Sequence, residues 1–120
     1  MYRVVVSGSF SSAHYLRGYK GKCEKLHGHN WKIEVEVEGE ELDKKGLLID
    51  FKKLKKILNN ILNELDHRNL NEVPYFKKKN PSSENIAFYV YKKMKEKIKG
   101  LKIVSVSCWE KEDSKAIFIP

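Results

Sequence analysis

The sequence predicts an α+β domain: an antiparallel four-stranded sheet with two helices on one face, in the order β-β-α-α-β-β. Strict alternation in "WKIEVEVEG" puts Trp31, Ile33, Val35 and Val37 on one side and charges on the other, the mark of an antiparallel strand covered on one side only. Two later stretches carry apolar stripes at three- and four-residue steps. The strand patterns flank these helical patterns instead of alternating with them, which excludes a doubly wound parallel sheet.

The first strand is expected in "YRVVVSGSF", a β-branched run ending near Gly8. Residues 11–26 then read as a long loop with glycines and scattered charges, and loops of that length are usually functional. Asp50 can cap a helix running to about Leu65, with Leu54, Ile57, Leu58, Ile61, Leu62 and Leu65 on its buried stripe. Pro74 forbids continuation. A second helix restarts at Ser82 or Ser83 with Glu84 in its first turn, buries Ala87, Val90, Tyr91, Met94 and Ile98, and closes at Gly100. Strands "LKIVSVSCWE" and "KAIFIP" follow, joined by a turn around residues 112–114.

The 120 residues fit one domain, 1–120, with no repeat, linker or second unit in the pattern. No stretch has the roughly 18 apolar residues of a membrane span, and the start lacks a signal-peptide pattern. Two cysteines are too few for a disulfide framework, so a cytoplasmic location is expected. Net charge is +8, but the lysines cluster at helical spacing on solvated faces. Nucleic acid is therefore not the expected partner, and a polyanionic small molecule fits as well. A four-stranded sheet with long first strands leaves two edges open for pairing with other subunits.

The chemistry concentrates in "CEKLHGHNW". His27 and His29 are two apart, so an extended chain points both imidazoles the same way. His14, in "SSAHY", lies across from them if strands one and two form a hairpin. Three histidines with an open fourth position are the donor set of a catalytic zinc site; polar surface residues are the alternative. Cys23 is either a fourth metal ligand or a thiol beside the cation, with a lowered pKa suited to proton transfer. Cys108, in step with Val104 and Val106, reads as a small core residue. Asp66 and His67 form an orienting pair of the kind relays use, or a structural helix end. Glu110 can accept from an amino-heterocycle edge, or is an exposed turn residue. A non-catalytic basic module using zinc structurally is the rival reading of the whole chain.

Six segments in register, "FSSAHYL", "CEKLHGHNW", "GLLIDFKKLK", "LDHRNLN", "NPSSENIA" and "WEKE", resemble the 6-pyruvoyl-tetrahydropterin synthase superfamily, specifically its 6-carboxy-5,6,7,8-tetrahydropterin synthase branch. The resemblance implies the tunnelling fold, with subunits joined edge to edge into an oligomeric barrel and two trimers stacked as a hexamer. It implies Zn2+ on His14, His27 and His29, with Cys23 moving protons and Asp66 and His67 completing the relay from a neighbouring subunit. Glu110 would anchor the amino-pyrimidine edge of the pterin, with Ser82 and Glu84 approaching it. The implied substrate is 7,8-dihydroneopterin triphosphate, converted with loss of triphosphate and acetaldehyde toward 7-deazaguanine nucleosides, queuosine or archaeosine. Three residues between Cys23 and His27 match the carboxytetrahydropterin branch. Formation of 6-pyruvoyl-tetrahydropterin from the same substrate is the alternative product.

Overall fold

The structure, a computed structural model, describes residues 1–21 and 24–120. Four strands, β1 (Tyr2–His14), β2 (His27–Gly39), β3 (Lys102–Lys111) and β4 (Ser114–Phe118), form one antiparallel sheet in the order β1-β2-β3-β4. Helices α1 (Phe51–Asn63) and α2 (Ser83–Lys97) lie between β2 and β3 in sequence and pack on one face of the sheet. The predicted order is thus observed.

The apolar stripes explain the layering. Trp31, Ile33, Val35 and Val37 of β2 are fully buried against Leu54, Leu58 and Leu62 of α1 and Ala87, Val90 and Met94 of α2. Their alternates on β2, including Lys32, Glu34, Glu36 and Glu38, face away from the helices. The α2 stripe is shifted from expectation: Ile86 and Tyr89 are buried, whereas Tyr91 is only half-buried. Asp50 caps α1 by accepting from Lys52 N at 2.8 Å, and Ser82 caps α2 by accepting from Asn85 N at 3.1 Å. Between the helices the chain makes two short 3-10 turns, Leu70–Glu72 and Pro74–Phe76. The second begins on the proline that stops helical continuation.

Both helices end two or three residues earlier than expected, at Asn63 and Lys97, and the largest departure is the end of β1. β1 does not end near Gly8 but runs to His14, in register with β2 from Tyr2↔Gly39 to His14↔His27. The serines of "SGSFSSAH" have no β-propensity to announce a strand; pairing with β2 overrides it. Gly8 sits under α1 for a steric reason. A Cβ there would come within 2.7 Å of Asn59 Oδ1 and 2.9 Å of Leu62 Cδ1. Gly8→Ala is expected to cost about 1–3 kcal/mol by overpacking this crossing, measurable as a lower urea midpoint with unchanged slope.

Candidate metal centre

Extension of β1 to His14 makes the site. His14 and His27 are direct cross-strand partners, and His29 is two residues further along β2 on the same face. Glu110, at the end of β3, follows Cys108 on the helix-covered side. The four side chains each offer a ligand atom, and these atoms all lie within 4.8 Å of one another. Trp31 floors the cluster, wholly buried, with its ring edge-on to His14 and His29 at centroid distances of 4.7 and 5.2 Å. Its indole N–H donates to Ser12 O at 3.1 Å, so the ring cannot tilt without losing that bond.

The hydrogen bonds decide which nitrogens face inward. His14 Nδ1 lies 2.7 Å from Pro81 O and His27 Nδ1 lies 2.6 Å from Lys25 O. A carbonyl only accepts, so both Nδ1 atoms carry the proton, and in the neutral rings both Nε2 atoms are lone pairs. Yet His14 Nε2 and His27 Nε2 stand 3.1 Å apart. Glu110 Oε1 adds a third acceptor, 3.0 Å from His14 Nε2 and 3.1 Å from His29 Nε2. His29 Nε2 is buried and has no aligned hydrogen-bond partner; its closeness to Glu110 is proximity without donor geometry. Burial, the largest effect, pushes both His14 and His29 below the usual imidazole pKa despite the nearby carboxylate. Both rings are therefore neutral at pH 7, the state that ligates metal. Acceptors crowded on one point repel unless a cation stands among them, so the residues present fit a Zn2+ ion held by three imidazoles.

The other expected site residues are placed as follows. Cys23 lies outside the described residues. Asp66 and His67 stand beyond α1 and do contact each other, with Asp66 Oδ2 2.9 Å from His67 Nδ1. Asp66 Oδ1 also accepts from Ser11 N at 2.9 Å, and His67 N donates to Ser11 O at 2.6 Å. These bonds hold His67 at φ 54°, a left-handed conformation rare for a residue with a Cβ. Its ring is 82% exposed at the free edge of β1, outside the histidine cluster. Such enforced strain is typical of functional positions. Ser82 is occupied as the cap, and Glu84 is exposed on the first turn of α2. Glu110 is not a free turn residue, and its approach to the histidines was invisible in the sequence, as were the carbonyls of Pro81 and Lys25. Cys108 is fully buried, as expected, and burial pushes its thiol up to about 12.

The 6-pyruvoyl tetrahydropterin synthase family description matches residues 3–119. The chain belongs to this family. It is 42% identical to a putative 6-carboxy-5,6,7,8-tetrahydropterin synthase of Archaeoglobus fulgidus, over 90% of this chain and 87% of that one. It is 40% identical to a dihydroneopterin monophosphate aldolase of Pyrococcus furiosus, over 90% of this chain and 89% of that one. Among solved structures, the 6-pyruvoyl tetrahydropterin synthase of Caenorhabditis elegans superposes with a TM-score of 0.89 at 30% identity, over 99% of this chain and 95% of that one. The family is one of enzymes, which sets aside the reading as a non-catalytic basic module.

Two predictions follow from the environments above. Cys108 is expected to resist alkylation in the folded protein at pH 8, so a Cys23→Ser variant should take up iodoacetamide only on unfolding, as read by mass spectrometry. The Ser11 N–H, and secondarily His67, hold Asp66 below its ordinary 3.8. That contribution is complete above pH 3.8 and is lost as pH falls through the lower folded value. Asp66→Asn should therefore be less stable than the parent at pH 7, by a margin that narrows as pH falls below 3.8, as followed by urea unfolding.

Proposed function

We propose that the protein is a zinc-dependent 6-carboxy-5,6,7,8-tetrahydropterin synthase acting on 7,8-dihydroneopterin triphosphate. One observation carries the metal chemistry: one ligand atom each of His14, His27, His29 and Glu110 lies within 4.8 Å of the others. The substrate class is supported by family membership over residues 3–119 and by the relatives named as 6-carboxytetrahydropterin synthases.

When bound, zinc supplies Lewis acidity that makes carbon-bound protons beside the side-chain hydroxyls easier to remove. The protein's own groups do the rest. Cys23, four residues before His27, takes and returns the proton. Asp66 orients His67 through the 2.9 Å contact with Nδ1, leaving Nε2 to exchange protons with a site across a subunit boundary. Glu110 receives the amino-pyrimidine edge of the pterin, and Ser82 and Glu84 border it from the start of α2. The first part of β1 and all of β4 are open edges in the single chain, and their pairing between subunits builds a barrel of trimers stacked as a hexamer. The reaction is placed in the cytoplasm, feeding 7-deazaguanine (queuosine or archaeosine) precursors.

A second reading has its own support in the 40% identity to a dihydroneopterin monophosphate aldolase. The same acidified side chain, carrying one phosphate, would break by aldol cleavage and release a phosphorylated two-carbon aldehyde.

Incubation with each phosphate ester and mass identification of products decides between them. Acetaldehyde and free triphosphate are expected; a phosphorylated two-carbon aldehyde from the monophosphate would assign the aldolase, and 6-pyruvoyl-tetrahydropterin the pyruvoyl synthase. Cys23→Ala should retain zinc and lose activity at least about a hundredfold, whereas His27→Ala should lose both. Glu110→Gln tests the carboxylate: a raised KM with zinc retained is expected of a pterin anchor, and weakened zinc binding would make it a fourth metal donor.

A further inference from the structure

His14 differs from His27 in how its ring is held. The Nδ1 of His27 reaches a carbonyl two residues away, whereas His14 reaches Pro81, 67 residues away. Its aim therefore depends on how the chain just before α2 sits against the end of β1. Two asparagines fix that relation. Asn71 Oδ1 accepts from Tyr15 N at 2.9 Å and its Nδ2 donates to Tyr15 O at 3.0 Å. Asn80 Oδ1 accepts from Arg17 N at 2.9 Å and its Nδ2 donates to Arg17 O at 3.0 Å.

Each primary amide thus gives the departing chain the donor–acceptor pair that a neighbouring strand would give. Asn71 is only 5% exposed, a buried amide with both functions satisfied. Arg17 closes the arrangement by donating to Phe76 O at 2.8 Å and Asn71 O at 3.2 Å. Asn80 O is in turn held by Asn85 Nδ2 of α2 at 2.8 Å. Pro81 follows directly, and its carbonyl is the one His14 uses.

We propose that Asn71 and Asn80 are positioning residues for the metal centre: by clamping residues 15–17 to the segment before α2, they hold His14 Nδ1 on Pro81 O and so aim Nε2 at the metal. The inference rests on the reading of His14, His27 and His29 as metal donors. Partners of a ligand's far nitrogen typically govern metal affinity by about ten- to hundredfold, and here the partner is itself positioned by the clamp.

Zinc affinity by chelator competition, with the visible spectrum of the cobalt-substituted protein, tests it without recourse to turnover. Asn71→Ala and Asn80→Ala are expected to weaken zinc about ten- to hundredfold and to lower the tetrahedral cobalt band. Asn80→Asp keeps the acceptor for Arg17 N and should recover part of the loss. Phe76→Leu, at a wholly buried apolar position beside the clamp, is the packing control; it should lower the melting temperature while zinc affinity stays within roughly twofold. Should Asn71→Ala fail to fold, the half-buried Asn80 variants decide alone. Unchanged zinc affinity in Asn80→Ala, or an equal loss in Phe76→Leu, overturns the clamp. A parent protein that binds no zinc overturns the donor reading and the clamp together, whereas tight zinc without product overturns the proposed reaction alone.

Discussion

The site depends on the pairing of His14 with His27 at the loop end of the β1–β2 hairpin. Register has period two, so a slip by one residue would turn His14 to the uncovered face and set Ala13 or Tyr15 in its place. The register is held elsewhere, by the buried faces. Val6 opposes Val35 and Phe10 opposes Trp31, which also stack at 5.9 Å. The hydrophobic core and the metal site are thus two ends of one alternating pattern. Burial of Ile33, Val35 and Val37 fixes where His27 and His29 point.

That pattern also supplies the electrostatics. Three imidazoles and a carboxylate gathered at the sheet's end would destabilise it if left protonated or unpaired. The two Nδ1–H groups are paired with carbonyls, and burial keeps His14 and His29 neutral. What is left is a cluster of acceptor atoms for which, among the described residues, no other side chain supplies a donor. A dication would satisfy the imidazole acceptors together, and the donor set fits one.

The fold was legible because its two periodicities are clean: period two in β2, and three- and four-residue steps in α1. The end of β1 was not, since "SFSSAH" carries no strand propensity and is extended only because β2 lies beside it. The convergence of the three histidines could be read from His27 and His29 spacing together with a hairpin assumption, and the His14↔His27 pair bears out the hairpin. Glu110 could not, since its place beside the histidines depends on the β2–β3 register, with Trp109 opposite Lys32. Asn71 and Asn80 were equally hidden. Each looks like an ordinary turn asparagine, and only the tertiary path of residues 15–17 gives it a partner.

Strain at His67 is paired with exposure. His67, at φ 54°, donates its own N–H to Ser11 O on the edge of β1, and its neighbour Asp66 accepts from Ser11 N. Ala13 N also donates to Arg68 O at 3.0 Å, so residues 66–69 cover that edge where His14 lies and leave the earlier part of β1 free. A histidine whose backbone is forced and whose ring is 82% exposed contributes nothing to its own core. Its ring is left facing solvent beside the uncovered run of β1. The bonds to Ser11 and Arg68 thus accept backbone strain at one residue in return for covering the strand edge next to His14.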